Sequence, residues 1–316
     1  MIPAIESEKL CKRFGKREAV AAVNLHVPTG CIYAFLGQNG AGKTTTIRLV
    51  LGLLRPTTGT VRVWGRDVAR ERLATARGVG SLVETPALYD RLTGRENLDL
   101  ARRMLGAPAS EIDRVLEIVD LRDAAGRLAG GYSLGMRQRL GLARAMLGQP
   151  RLLILDEPAN GLDPDGMRDM RALIRTLPER DGVTVFVSSH LLNEVEQIAT
   201  HVGLMHEGRL LAQSTLAELK GKGGRELHIN VADAGRAAAA LSDMGLDARA
   251  PDSVSLRVIV SDGHEGEPFA ADVNQALVER GFGVSRLIFA EPTLEDVYLG
   301  MIDARRASSA RVLQSA

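Results

Sequence analysis

Cysteine is scarce in this chain of 316 residues, which contains only Cys11 and Cys31. The two do not form a CxxC pair, and no cluster of histidine and cysteine accompanies them. This pattern excludes a scaffold held together by disulfides and favours a reduced, cytosolic compartment.

Long hydrophobic runs are also missing. No apolar stretch approaches the roughly 20 residues that a membrane-spanning helix needs. No charged segment followed by an apolar one opens the sequence, so we expect no secretory signal. If the protein serves a membrane, we expect it to do so from the cytosolic side and through a partner.

An excess of charge of either sign is absent as well. Lys and Arg total 40, Asp and Glu total 39, and the formal net charge is +1. Such a balance gives no bulk attraction to nucleic acid or to anionic lipid. Hydrophobic residues make up 45% and charged residues 25%, which is typical of a soluble globular protein with a full core. The length predicts one large domain and a small one.

The longer, N-terminal part of the chain alternates between strand-like and helix-like segments. Alternating apolar residues at 4–10 and 20–27 predict an antiparallel edge sheet. Continuous apolar runs at 31–37 and 151–155 predict strands that are buried on both faces. Apolar residues at helical spacing predict a helical subdomain at about 86–149. The whole pattern predicts an α/β fold with a mostly parallel sheet flanked by helices.

A glycine-rich break at residues 221–224 predicts the domain boundary, with one domain over 1–222 and a second over 223–303. The second domain has the element order β-α-β-β-α-β, which predicts a small ferredoxin-like α+β fold. The remaining residues, 304–316, are rich in Ser and Ala and are predicted to be a disordered tail.

A glycine-rich loop lies between a predicted buried strand and a predicted helix. Residues 37–44 read Gly-Gln-Asn-Gly-Ala-Gly-Lys-Thr and fit the eight-position pattern of a phosphate-binding loop. Its glycines let backbone N–H groups converge on an anion, and the helix N-terminus adds partial positive charge. Lys43 supplies a full charge to the β and γ phosphates, and the Thr44 hydroxyl can bind Mg²⁺. A plain glycine turn is the alternative, but it needs no Lys-Thr pair at this spacing.

Two acids, Asp156 and Glu157, end a second buried strand. In a parallel sheet the carboxyl ends of the strands share one edge, so we expect these acids to lie near the phosphate loop. Asp156 can then orient Mg²⁺, and Glu157 can act as the general base on an attacking water. His190 ends another predicted strand at the same edge, where it is positioned to contact a γ-phosphate.

A further motif indicates the family. Residues 133–140, Ser-Leu-Gly-Met-Arg-Gln-Arg-Leu, resemble the signature motif of ABC ATPases. The chain as a whole resembles the ATP-binding subunit of ABC-2-type exporters, in the bacitracin-resistance and lantibiotic-immunity group. The resemblance is strong over 1–220 and continues through Glu-Pro-Thr-Leu-Glu-Asp-Val-Tyr at 291–298, which is similar to a closing motif of that group.

The resemblance implies a role for each matching residue. Phe14 matches the aromatic side chain that stacks on adenine, and Asp156 and Glu157 match the two acids that bind the metal and activate water. His190 matches the switch histidine that contacts the γ-phosphate, and Ser133, Gly135 and Asp163 match the signature and D-loop residues that act across a dimer. The Walker A loop, which holds the phosphates, is matched by Gly37, Gln38, Asn39, Gly40, Ala41, Gly42, Lys43, Thr44 and Thr45.

The sequence departs from the usual family pattern at two places. The usual signature is Leu-Ser-Gly-Gly-Gln, whereas residues 132–136 read Tyr-Ser-Leu-Gly-Met. The usual Q-loop glutamine is replaced by Glu84, which can still hold Mg²⁺ or its water but cannot donate a hydrogen bond while ionised. The antibiotic-immunity group resembles this sequence in both changes.

The resemblance implies an ATPase that uses ATP and Mg²⁺ at the cytoplasmic face of the cell membrane. Its expected partners are a membrane permease and a second ATP-binding subunit, taken as a homodimer, and no nucleic acid. The expected cargo is a drug, a peptide antibiotic or a lipid-linked compound.

A soluble ABC ATPase that acts on nucleic acid or ribosomes is the alternative, but the chain has one cassette and no sustained heptads. A GTPase or a small-molecule kinase built on the same loop is a further alternative, although no Asn-Lys-x-Asp motif is present and a kinase would not need the motif at Ser133. The second domain either braces the dimer or binds a regulatory ligand.

Overall fold

The computed structural model describes residues 2–222, 225–260, 267–290 and 293–314. The chain divides into two compact units between Leu216 and Ala217. The boundary predicted at 222/223 lies slightly later in the chain than this division. The helix Leu216–Lys222 fills the interval between the two positions.

The first unit contains strands and helices in alternation. Its strands are β1 (Ile5–Phe14), β2 (Arg17–Val23), β3 (His26–Val27), β4 (Ile32–Leu36), β5 (Thr58–Val63), β6 (Arg66–Asp67), β7 (Val79–Leu82), β8 (Leu152–Asp156), β9 (Thr184–Ser189), β10 (His201–His206) and β11 (Arg209–Thr215). Its helices are α1 (Lys43–Val50), α2 (Arg72–Ala76), α3 (Gly94–Leu105), α4 (Ser110–Ile118), α5 (Leu134–Met146), α6 (Pro164–Asp181) and α7 (Leu192–Val195). Helix α8 (Leu216–Lys222) begins at the division.

A parallel sheet forms the centre of this unit, in the order β11-β10-β4-β9-β8-β7. Only β11 runs antiparallel to its neighbour. Strand β8 is buried on both faces, because Leu153 and Leu155 pack with the helical insertion while Leu152 and Ile154 pack on the opposite side. Burial on both faces explains why β8 is continuously apolar rather than alternating.

The N-terminal strands form a separate antiparallel sheet rather than an edge of the parallel one. Strand β1 pairs with β2, β3 and β5, and β5 pairs with β6. Its apolar side chains share one core with β4 and β9, as Ile5, Phe35 and Phe186 illustrate. Alternation along β1 therefore reflects one face packed on the parallel sheet and one face toward solvent.

The predicted helical insertion contains α3, α4 and α5. Helix α3 starts at a capping box, in which Thr93 and Glu96 each accept from the other's backbone N–H. Helix α5 starts at Ser133, whose side chain accepts from the Met136 N–H. Buried apolar residues of these helices join the core on one face of the parallel sheet.

The second unit confirms the predicted ferredoxin-like order. After α8 it contains β12 (Arg225–Val231), α9 (Ala234–Ser242), β13 (Ala248–Arg249), β14 (Ser255–Val260), α10 (Glu267–Glu279), β15 (Val284–Ala290) and α11 (Leu294–Gln314). The sheet order is β13-β14-β12-β15, with every neighbouring pair antiparallel. Buried residues of β12, β14, α9 and α10 form its own core.

The last helix differs from the expected tail. Helix α11 continues through Gln314, so residues 304–314 are helical where the sequence predicts disorder. Alanine has the highest intrinsic helix propensity, and residues 304–310 contain three alanines, which favours continuing a helix that Leu294 has already started. Residues 291–292 of the closing motif lie outside the described residues.

In the described part of the chain, no helix combines the length and the apolar character needed to cross a bilayer.

Candidate functional site

The glycine-rich loop connects β4 to α1 at the carboxyl edge of the parallel sheet. Gly40 and Gly42 have φ of 81° and 102°, a left-handed conformation that glycine adopts without a steric penalty. A Cβ at Gly42 would lie 2.4 Å from the Ala19 carbonyl oxygen, so a side chain does not fit there. The loop therefore depends on glycine for both its backbone angles and its packing.

Lys43 is the first residue of α1, and it is only 5% exposed. Its Nζ donates to the carbonyl oxygens of Gly37 at 2.7 Å and Gln38 at 3.4 Å. The same Nζ lies 3.2 Å from Glu157 Oε1. The ammonium is therefore fixed inside the loop and connects it to the end of β8.

Glu157 follows β8 and connects two predicted site residues. Its Oε1 pairs with Lys43, and its Oε2 lies 2.8 Å from His190 Nδ1. Its backbone has φ of 49°, which is uncommon for a residue with a side chain and is found preferentially at functional sites. The structure thus brings Lys43, Glu157 and His190 into one connected group.

Asp156 is buried, and its Oδ1 accepts a 2.6 Å hydrogen bond from Ser188 Oγ. Ser188 also accepts from the Glu157 N–H, through Oγ at 3.0 Å and through its carbonyl oxygen at 3.2 Å. Ser188 therefore orients both acids. Sequence analysis missed it, although Asp156 and Ser188 are register partners in the β8–β9 ladder and strand pairing could have indicated the contact.

The strand order explains why these residues meet. Strands β4, β9, β8 and β7 are consecutive neighbours in the sheet, and they run parallel. At or just after their carboxyl ends lie the glycine-rich loop, His190, the two acids and Glu84, respectively. Open parallel sheets bind ligands at this edge.

An open cleft lies beside the loop and has a volume of about 380 Å³. That volume falls within the roughly 300–1,000 Å³ found for small-molecule sites. The cleft is lined by Phe14, Arg17, Ala19, Asn39, Gly40, Gly42, Lys43, Thr44, Thr45 and Glu157. Phe14 is 49% exposed, and the Lys12 ammonium lies over its ring, 5.2 Å from the centroid. Arg17, which sequence analysis did not select, adds a second cation to this lining.

The rest of the predicted loop residues support its shape. Ala41 is buried, and its N–H donates to the Gln38 carbonyl oxygen at 3.1 Å. A Cβ at Gly37 would lie 2.3 Å from the Met205 carbonyl oxygen, so the start of the loop packs against β10.

Glu84 does not line the cleft. Its carboxylate pairs instead with the guanidinium of Arg48 in α1. Its side chain is 63% exposed, and its backbone has φ of 61°. The metal-binding role predicted for Glu84 therefore stays a prediction, and the contact that the structure shows is with Arg48.

Ser133, Gly135 and Asp163 also lie outside the lining of the cleft. Ser133 and Asp163 each cap a helix, since Asp163 Oδ1 accepts from the Gly166 N–H at 2.9 Å. Tyr132 holds the segment in front of Ser133: burial raises the pKa of its hydroxyl, which stays protonated and donates to the Ala124 carbonyl oxygen at 2.6 Å. The chain does not bring its signature segment into its own cleft.

The residues near the loop suit a magnesium ion. Thr44 and Asp156 offer a hydroxyl and a carboxylate oxygen, the ligand chemistry that Mg²⁺ prefers. No group of three His, Cys, Asp or Glu in the described residues could hold a metal alone. A two-oxygen set fits Mg²⁺, which usually takes its remaining ligands from phosphates and water.

The fold and the cleft define a nucleoside triphosphatase of the phosphate-loop class. The family model described as "ABC transporter" matches residues 20–160. The chain is 41% identical over 303 residues to the bacitracin transport ATP-binding protein BcrA of Bacillus licheniformis, covering 96% of this chain and 98% of that protein. It is 39% identical to the lantibiotic transport ATP-binding protein SrtF of Streptococcus pyogenes, covering 66% of this chain and 90% of that one.

A solved structure described as the ATP-binding subunit of an ABC transporter is 29% identical. It superposes with a TM-score of 0.62 and covers 69% of this chain and 92% of that chain. The chain belongs to the ABC transporter family of ATP-binding proteins. It is an ATP-hydrolysing subunit, and the relatives favour a transporter over the alternative of an enzyme that acts on nucleic acid or ribosomes.

Proposed function

We propose that this chain drives the export of a peptide antibiotic of the bacitracin class through a separate permease. The observation that carries the proposal is the likeness to the bacitracin transport protein over 96% of the chain, which includes both units. The likeness to the lantibiotic transport protein covers 66%. The match to the bacitracin protein combines 41% identity with nearly full coverage of this chain, which favours bacitracin as the cargo to test first.

Lys43 and the loop amides bind the triphosphate. The Lys43 ammonium is held by two carbonyl oxygens and a carboxylate, so its position is fixed before the phosphates arrive. A fixed donor at a helix N-terminus strengthens binding because little ordering remains to be done. Phe14 stacks on the base at the open end of the cleft.

Glu157 acts as the general base. One carboxylate oxygen contacts Lys43 and the other contacts His190 Nδ1, so the carboxylate is oriented on two sides. This orientation places it to accept a proton from water next to the loop. His190 uses Nδ1 for Glu157, which leaves Nε2 for the γ-phosphate.

Thr44 and Asp156 hold Mg²⁺. The ion supplies charge neutralisation of the phosphate oxygens. Ser188 fixes the Asp156 carboxylate by its 2.6 Å hydrogen bond. The role of the chain is to present these two oxygens in a constant orientation.

A second copy of the chain completes the site. Ser133 and Gly135 begin α5, where a hydroxyl and backbone N–H groups suit the γ-phosphate of an opposing copy. Asp163 caps the N-terminus of α6 and lies at the end of the D-loop, residues 160–163, which communicates between the copies. Their place outside the chain's own cleft supports this arrangement.

An exposed apolar groove receives the permease at the cytoplasmic face of the membrane. This insertion groove has a volume of about 650 Å³ and lies between α3, β7 and the segment that follows Glu84. Among its lining residues, Tyr89, Leu100, Met104 and Leu105 are exposed. Exposed apolar patches rimmed by polar residues mark interaction sites.

Resistance assays test the proposal. We expect the chain, expressed with its partner permease, to raise the minimum inhibitory concentration of bacitracin. Leu100→Glu with Met104→Glu should abolish this resistance and co-purification of the permease, because charges would be buried in the groove. ATP hydrolysis by the isolated chain should stay within about 2-fold, since both side chains lie outside the cleft.

Leu53→Glu is the control, because the exposure of Leu53, 55%, lies between those of Leu100 and Met104, and Leu53 lies outside the insertion groove. Its resistance should remain at the wild-type level. Protection against a lantibiotic but not bacitracin would overturn the assigned cargo. Full resistance in the groove variant would overturn the docking surface.

A further inference from the structure

Helix α1 carries two cations, and each pairs with a glutamate that follows a neighbouring strand. Lys43 pairs with Glu157 after β8, and Arg48 pairs with Glu84 after β7. Strands β7 and β8 are adjacent and parallel. One helix is thus connected by two ion pairs to two adjacent strand ends.

The two glutamates also share an uncommon backbone conformation. Glu157 has φ of 49° and Glu84 has φ of 61°. Left-handed conformations of residues other than glycine persist where the surroundings hold them, and they cluster at functional sites. The proposed general base accounts for Glu157. The same conformation after the neighbouring strand indicates a functional role for Glu84 and for its partner, Arg48.

The position of Arg48 on α1 indicates that role. Thr44 and Arg48 are four residues apart, so they lie on one face of the helix and about 6 Å apart along its axis. While it is paired with Arg48, the Glu84 carboxylate is therefore held by a side chain of the helix face that also carries Thr44. The Arg48 and Glu84 side chains are 40% and 63% exposed, and exposed pairs are weak enough to exchange.

We propose that Arg48 is a positioning residue that holds the Glu84 carboxylate at helix α1 and competes with magnesium for it. The inference rests on the proposed function, because it needs Mg²⁺ beside Thr44. When magnesium and ATP bind, the Glu84 carboxylate leaves the guanidinium for the metal or its water. A carboxylate has stronger affinity for Mg²⁺ than an amide does. This difference explains why glutamate suits this position in place of the usual glutamine.

The exchange would reach the insertion groove. Ala87, Leu88 and Tyr89 follow Glu84 closely along the chain and line that groove. A change of partner at Glu84 shifts the start of this segment. Arg48 would thereby control how far nucleotide binding displaces the residues that line the groove.

A magnesium titration tests the role of Arg48. The full chain is incubated with a fluorescent, non-hydrolysable ATP analogue, and binding is followed as MgCl₂ is added. Arg48→Ala should lower the half-saturating Mg²⁺ concentration by about 2- to 5-fold, the range that the loss of an exposed ion pair allows. In a Glu84→Gln background the same substitution should shift it by less than about 1.5-fold, because no carboxylate remains to be released.

Two further variants separate positioning from stability. Arg48→Lys should stay within about 2-fold of the wild type, since lysine can still pair with Glu84. Arg66→Ala removes another exposed arginine that pairs with a glutamate, and it should leave the titration unchanged.

An equal shift in both backgrounds, or no shift with Arg48→Ala, would overturn the role of Arg48. It would leave the proposed function standing if the wild type binds the analogue with Mg²⁺. A wild type that binds no analogue at any Mg²⁺ concentration would overturn both.

Discussion

Glu157→Gln is expected to lower the turnover number for ATP by about 10²- to 10⁴-fold, the usual contribution of a general base. Glutamine has the same shape but cannot accept a proton from water at neutral pH. ATP binding should be kept or strengthened, because the substitution removes a negative charge 3.2 Å from the Lys43 ammonium. Phosphate release measures the first effect, and titration with a fluorescent ATP analogue measures the second.

Glu194→Gln provides the matched control for this prediction. Glu194 is similarly shielded and pairs with Arg171 at 3.5 Å, but it does not line the cleft. Its turnover should remain within about 2-fold of the wild type. Near-normal turnover in Glu157→Gln would remove Glu157 as the general base, whatever the control shows.

Lys43→Ala is expected to weaken ATP binding by at least about 30-fold. The substitution removes a buried charge from the phosphates and leaves Glu157 Oε1 without its cation, while Oε2 keeps its contact with His190. Truncation of one partner of a buried charge pair costs about 2–5 kcal/mol. Equilibrium titration with the fluorescent analogue gives the loss directly.

A double variant identifies the cause of that loss. If repulsion between the Glu157 carboxylate and the phosphates contributes to the loss of affinity, Lys43→Ala with Glu157→Gln should bind ATP more tightly than Lys43→Ala alone. Lys16→Ala is the control, because Lys16 is exposed and lies outside the lining of the cleft. Wild-type affinity in Lys43→Ala would contradict the assigned phosphate site.

The local parts of the site could be predicted from the sequence. Residues 37–44 carry a pattern whose glycines and lysine are needed together, and the strand before it and the helix after it are readable from periodicity. Asp156 and Glu157 are also local, since they end a strand whose continuous apolar run predicts burial on both faces. The alternating order of the second unit similarly predicted its sheet.

The non-local parts could not be predicted. Chain order does not show that β9 lies between β4 and β8, which is what brings His190 to Glu157. The Arg48–Glu84 pair joins residues 36 positions apart, and no pattern marks either as a partner. The N-terminal strands look the same in sequence whether they extend the parallel sheet or stack on it, because both arrangements bury one face. Only the packing of Ile5 with Phe35 and Phe186 distinguishes them.

The signature segment lies outside the cleft of its own chain, and this placement determines how the rate of ATP hydrolysis depends on protein concentration. If each active centre takes Ser133 and Gly135 from another copy, a single chain in dilute solution cannot complete one. The ATP turned over per chain should then rise in proportion to protein concentration until the dimer is saturated, and it should fall again on dilution. A turnover per chain that stays constant across a 100-fold dilution would mean that one copy suffices.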